Sequence, residues 1–233
     1  MHLYHAKTNI KDDEKAALEK KVTNAIAQLH HSRKKTRDGR GEIFIIDDHE
    51  PALVVKRFRR GGLVARLTSA TYLGLSDHHS RMVVELRFLE TLKHLALPVP
   101  APVMAAVSRK FLFYGGYLVT EQIKNANTLT ESLCRGPLQS EHWEKIGGTL
   151  RLFHDKQIFH ADLNAGNIMI DKQGKVSLID FDKSYKREHD TWKSDNLLRL
   201  KRSLEKIRRA EKEFHYREED WTILMRAYDN QAN

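Results

Sequence analysis

Apolar residues recur at helical spacing over residues 12–31, where Ala16, Ala17, Val22, Ile26 and Leu29 mark one side of an expected helix. Two short β-like runs follow, Glu42–Ile46 and Ala52–Phe58. They are joined by Asp47-Asp48-His49-Glu50-Pro51, a polar, proline-closed stretch that suits a hairpin turn. The pattern predicts a helix over Ser80–Leu95. It must stop before Pro98-Val99-Pro100-Ala101-Pro102, because proline lacks the amide hydrogen and clashes with the preceding turn. Strands are expected at Val103–Val107 and Tyr117–Thr120, with Gly115-Gly116 as the turn between them.

From residue 140 the rhythm changes. Trp143, Ile146, Leu150 and Phe153 stand at helical spacing in Glu141–Asp155. Two brief β-like pieces, Ile168–Ile170 and Val176–Ile179, flank the turn Asp171-Lys172-Gln173-Gly174, and the last fifty or so residues read as basic helix. Strands first and helices later predict an α+β protein of two lobes. The expected division is 1–121, strand-rich with an N-terminal helix, and 122–233, helical, with the boundary near Glu121–Asn127.

Composition narrows the class. A 40% hydrophobic share over 233 residues supports a sizeable core, in one large domain or two closely joined lobes. No apolar run approaches the roughly 18–20 residues that cross a bilayer. The opening Met1-His2-Leu3-Tyr4-His5-Ala6-Lys7 lacks a signal peptide's apolar core. The single cysteine, Cys134, leaves no internal disulfide and fits a reducing cytosol. Lys and Arg exceed Asp and Glu by 40 to 31, a net +9, which favours an anionic partner. Neither zinc-ligand spacing nor an aromatic-interleaved basic motif supports nucleic-acid binding.

The chemistry concentrates in His160-Ala161-Asp162-Leu163-Asn164-Ala165-Gly166-Asn167 and in Asp180-Phe181-Asp182 beyond the next hairpin. Taken alone, the first segment reads equally as a polar loop between helix and strand. Upstream, Lys56 ends an apolar strand, and Glu85 sits in the middle of a helical face shared with Met82, Leu89 and Leu92. A lone buried carboxylate is costly, so a Lys56–Glu85 ion pair is expected, with Glu90 nearer the edge of the face.

His-x-Asp-x-x-x-x-Asn, a hairpin and then Asp-Phe-Asp resemble the catalytic core of the protein-kinase-like superfamily. The resemblance implies ATP and Mg²⁺ as cofactors. Asp162 would meet the attacking hydroxyl, Asn167 and Asp180 would bind Mg²⁺, and Lys56, held by Glu85, would contact the phosphates. His160 is expected to support the loop by hydrogen bonding. Gly39 and Gly41 stand where that superfamily has its phosphate-covering loop, although a plain turn explains them as well. Glu121 and Ile123 fall on the stretch expected to receive adenine through backbone groups.

Asn164 occupies the place of a protein kinase's loop lysine, no Ala-Pro-Glu follows Asp180, and little chain remains for a peptide-docking lobe. These departures favour a small-molecule or glycolipid acceptor. More closely, residues of about 37–205 resemble the 3-deoxy-D-manno-octulosonic acid (Kdo) kinases of Gram-negative bacteria. The resemblance is carried by Arg57-Phe58-Arg59-Arg60-Gly61-Gly62-Leu63-Val64-Ala65, Leu97-Pro98-Val99-Pro100-Ala101-Pro102, the Asp162 loop and Ile179-Asp180-Phe181-Asp182-Lys183-Ser184. It implies phosphorylation of the 4-hydroxyl of Kdo on a lipid A precursor, peripherally at the cytoplasmic face of the inner membrane. Heptose kinases of that pathway share much of the pattern, and a protein or aminoglycoside-type kinase shares the loop. Lys56, Arg57, Arg59 and Arg60 are either phosphate ligands or a solvated strand end. On the C-terminal stretch, Leu197, Leu200, Leu204, Ile207 and Phe214 are expected on one helical face. Lys201, Arg202, Lys206, Arg208, Arg209 and Lys212 cover the rest, which suits either an anionic membrane surface or an ordinary core-covering helix.

Overall fold

The computed structural model describes residues 1–7, 12–31, 43–58, 72–73, 76–111 and 113–230. They divide into two units, Met1–Glu90 with Ala101–Gln122, and Thr91–Pro100 with Ile123–Asn233.

The first unit is built on an antiparallel sheet of β1 (His2–His5), β2 (Ile43–Ile46), β3 (Leu53–Arg57), β4 (Tyr72–Leu73), β5 (Pro102–Lys110) and β6 (Phe113–Glu121). Its order is β1-β5-β6-β3-β2, with β4 also on β6. Helix α1 (Asp12–His31) lays Leu18, Val22 and Ile26, one turn apart, onto Ile46, Val55, Met104 and Val119. Burying side chains of this size contributes about 1.5–3 kcal/mol each. Leu18 takes the inward place, while Ala16 and Ala17 are exposed, because the larger side chain sets the helix rotation. The side chain of Leu29 lies outside the described residues.

Gly115 and Gly116 are not the turn the sequence suggested. Both lie inside β6, opposite Ser108 and Val107. A Cβ on Gly116 would stand 2.0 Å from the carbonyl oxygen of Ala106, so the glycine is there for close backbone approach. Helix α2 (Arg81–His94) buries Met82, Leu86, Leu89 and Leu92. Its residues up to Glu90 belong to the first unit.

The second unit is mostly helical. A capping box, in which Thr128 Oγ1 accepts from the amide of Glu131 and Glu131 accepts from the amide of Thr128, starts α3 (Leu129–Arg135). Helix α4 (Ser140–Asp155) buries Trp143, Ile146, Leu150 and Phe153 as its spacing required. It packs on α6 (Glu218–Asn230), and the two helices touch closely: a Cβ on Gly147 would lie 2.2 Å from the Leu224 carbonyl oxygen. A three-stranded sheet runs β10-β9-β7, from β7 (Ala126–Thr128), β9 (Ile168–Asp171) and β10 (Val176–Leu178). A two-stranded ribbon joins β8 (Ile158–Phe159) to β11 (Tyr185–Lys186). Helix α5 (Lys193–Ala210) buries Leu197, Leu200 and Leu204. It ends at Ala210, so Lys212 and Phe214 do not continue its faces, although Phe214 is buried by the segment beyond.

Candidate active site

Within the first unit, Lys56 faces Leu118 across the β3–β6 ladder, where strand alternation turns it away from buried Val55. Its ammonium donates to both carboxylate oxygens of Glu85, at 3.3 and 3.1 Å. Glu85 is only 3% exposed and lies on the α2 face that also buries Met82 and Leu89. The cation offsets the cost of placing that carboxylate inside. Glu90 is bonded to Arg87 at 2.9 Å, consistent with its place at the edge of the face. Gly39, Gly41, Arg59, Arg60 and Gly61–Ala65 lie outside the described residues. Glu121 closes β6, its amide donating to Ala101 at 2.9 Å. Ile123 is half-buried as the second unit begins. Among the described residues, no hydrogen bond joins the side chain of Glu121 or Ile123 to another of the anticipated site residues.

In the second unit the loop from His160 to Asn167 is held by its own side chains. The Asp162 carbonyl oxygen accepts from both Asn164 Nδ2 and Asn167 Nδ2, each at 2.8 Å. Asn164 Oδ1 accepts from the Gly166 amide at 2.8 Å, which spends that side chain inside the loop. A single 3-10 turn, Ala165–Asn167, leads directly into β9.

The segment Ile179–Ser184 clamps this loop from outside. The amide of Asp162 donates to His160 Nδ1 at 3.2 Å, so the ring proton sits on Nε2, which donates to the Ile179 carbonyl at 2.9 Å. Ile179 N–H donates to Asn167 O at 3.0 Å, and Ala161 N–H donates to Ser184 Oγ at 3.1 Å. Phe181 is buried, stacked on Phe153 at 5.8 Å and tilted against His160 at 4.8 Å. Asp180, just before it, takes φ +63°, a left-handed conformation that a non-glycine residue holds only when its surroundings compel it. The structure therefore brings Asp162, Asn167 and the backbone leading into Asp180 together, and it pairs Lys56 with Glu85.

Three supporting residues on α5 escaped the sequence reading. Asn196 Nδ2 donates to the His160 carbonyl at 2.8 Å, and its Oδ1 accepts from His154 Nε2 at 3.2 Å. His154 Nδ1 then accepts from the Tyr228 hydroxyl at 2.7 Å. Burial of the His154 ring pushes its pKa down to about 4, which keeps it neutral and fits the one-proton relay. Ser203 Oγ accepts from the amide of Ala165 at 3.3 Å. The guanidinium of Arg199 bonds Asp162 Oδ1. Asn196, Arg199 and Ser203 stand at i, i+3 and i+7, one polar flank beside Leu197, Leu200 and Leu204. That spacing was the available signal; the basic residues around it masked it.

A carboxylate beside a carboxamide, on a loop clamped to a second carboxylate segment, is an arrangement suited to a kinase. Comparison with known proteins places it further. The model of the "Lipopolysaccharide kinase (Kdo/WaaP) family" matches residues 34–228, and the chain belongs to that family. Among its relatives are proteins named 3-deoxy-D-manno-octulosonic acid kinase. The one from Photobacterium profundum is 36% identical over 191 residues, 82% of this chain and 80% of the relative. That from Vibrio cholerae serotype O1 is 39% identical over 168 residues, 72% of each. A Xylella fastidiosa relative is 37% identical over 193 residues, 82% of this chain and 76% of its own.

Proposed function

We propose that this kinase transfers the terminal phosphoryl group of ATP to the 4-hydroxyl of Kdo on a lipid A precursor in lipopolysaccharide inner-core assembly. The observation that carries the reading is the Asp162–Asn167 loop: a carboxylate and a carboxamide are fixed on one short turn and tied by backbone to Ile179, the residue before Asp180. The names of the relatives supply the sugar. In this reading the strand-rich and helical units are the two lobes of a protein-kinase-like fold.

Each side chain then has a task. Asp162 orients the acceptor hydroxyl and accepts its proton as the new bond forms. Lys56, steadied by Glu85, neutralises phosphate charge. Among the described residues no three His, Cys, Asp or Glu side chains gather as a ready metal cage. Asn167 Oδ1, with the amide nitrogen already committed to Asp162, and the Asp180 carboxylate are hard oxygen donors. Such a short donor set suits Mg²⁺, which keeps waters and phosphate oxygens for its other positions. When bound, Mg²⁺ supplies charge neutralisation on the transferring phosphate. The net charge of +9 and the ATP donor together favour peripheral attachment at the cytoplasmic face of the inner membrane. No described helix is long and apolar enough to cross a membrane.

Incubation with Mg-ATP and Kdo-bearing lipid IVA, followed by mass spectrometry, tests the reading. One added phosphate, absent with Asp162→Ala, is the expected result. A heptose-bearing acceptor preferred over Kdo would sink the sugar assignment and leave the kinase. Full turnover in a folded Asp162→Ala protein would sink the role of the loop.

A further inference from the structure

The loop position that Asn164 fills carries no cation, and Asn164 is turned inward, bonded to Gly166 and to the Asp162 carbonyl. A cation nevertheless reaches Asp162 from elsewhere in the same unit. Arg199 comes from α5, and its guanidinium bonds Asp162 Oδ1. The pair is open to solvent, with Arg199 46% and Asp162 31% exposed. A guanidinium has five donors in a planar fork, and Nη2 is the one that bonds Asp162. The remaining edge of the fork is available to a second acceptor, and it stands beside the carboxylate that would receive the hydroxyl. One turn and two turns further along the same face stand Arg202 and Lys206, both exposed and without an ion pair among the described residues. The face carries one acid near the loop, Asp195, a turn before Arg199.

A sugar acid presents the matching chemistry. In 3-deoxy-D-manno-octulosonic acid the carboxylate, C1, and the 4-hydroxyl are separated by C2 and C3, so a hydroxyl seated on Asp162 brings a second negative charge close to the first. Like charges at that range oppose binding unless a cation lies between them. Arginine suits the place because its fork can bond two carboxylates at once, whereas lysine offers only a point charge.

We propose that Arg199 is the acceptor-binding residue that recognises the carboxylate of the sugar acid, bridging it to Asp162 and making the site selective for an acidic over a neutral acceptor. This rests on the sugar assignment made above. No covalent step is added.

The test compares the Kdo-bearing acceptor with its C1 methyl ester, which removes the charge and keeps the 4-hydroxyl. Equilibrium binding without ATP and the KM and kcat of the acceptor are measured for wild type, Arg199→Gln and Arg199→Lys, with thermal unfolding to verify folding. Wild type is expected to prefer the acid by roughly tenfold or more, the scale of one charge-assisted hydrogen bond. Arg199→Gln should bring the ratio close to one, through the acceptor KM and not that of ATP, and Arg199→Lys should recover part of it. An acid-to-ester ratio unchanged in Arg199→Gln, or no preference in wild type, overturns the proposal alone. Failure of wild type to phosphorylate the Kdo acceptor at all overturns the sugar assignment, and this inference with it. Because binding is read without turnover, a variant that is slow for another reason still reports the ratio.

Discussion

Lys56 and Glu85 illustrate how two unremarkable residues acquire a role from their partner. A strand lysine would ordinarily be solvated, and a glutamate 3% exposed would ordinarily be a liability. Facing each other at 3.1 Å, they form a fixed ammonium on a rigid strand. Lys56→Met leaves Glu85 buried without this cation and removes the proposed phosphate contact. The expected loss is about 10²–10³-fold in kcat, measured as steady-state phosphorylation of the Kdo acceptor. A variant within a factor of a few of wild type would detach Lys56 from the reaction. The pair was legible in the sequence because a charge in the middle of an apolar helical stripe demands a partner. Arg199 was masked: it shares a polar flank with Asn196 and Ser203, but on a helix as basic as α5 that spacing alone does not say which arginine meets an acid from another element.

At the scale of elements, the loop from His160 to Asn167 is held by side chains from α4, α5 and α6. The relay from Tyr228 through His154 and Asn196 to the His160 carbonyl requires His154 to stay neutral. Its folded pKa is about 4 against an ordinary 6.5, so between those values the unfolded chain takes up a proton that the folded chain excludes. Stability from this group is therefore fully present above about pH 6.5 and falls as the pH drops towards 4, by about 3 kcal/mol in all. Urea titrations at pH 7, 5.5 and 4 should show that loss in wild type and a flatter profile in His154→Gln. Identical pH profiles would remove His154 from the account. Packing of α4 on α6 gives a second prediction. Gly147→Ala gains helix propensity but drives a methyl group into the Leu224 carbonyl, and a net destabilisation of about 1–3 kcal/mol is expected by thermal unfolding.

Taken whole, the molecule carries +9 in formal charge. If it works on a lipid-borne sugar at an anionic surface, that charge should draw it there. Co-flotation with vesicles containing anionic phospholipid is expected at low ionic strength, and should fade as salt shortens the Debye length from about 30 Å at 0.01 M to about 8 Å at 0.15 M. Binding to purely zwitterionic vesicles at equal strength would show that charge is not the cause. The partition into units is also a property of the whole chain. Thr91–Pro100 joins the later unit, where the Pro98 carbonyl accepts from the amide of Leu178 at 3.0 Å, a contact spanning eighty residues that no local pattern announces.

Period and spacing alone determined the long elements: α1, α2, α4 and the β9–β10 hairpin follow from apolar residues recurring at helical or alternate positions, and from the turn residues between them. They also determined the loop from His160 to Asn167 and the need for a partner to Glu85. Only tertiary structure decided what lacks a period. Strands of two or three residues such as β7, β8 and β11 exist because neighbours offer them a ladder, and Gly116 is a point of contact rather than a turn because Ala106 lies against it. The cation at Asp162 belongs with these, for Arg199 is thirty-seven residues away along the chain and only folding makes it a neighbour.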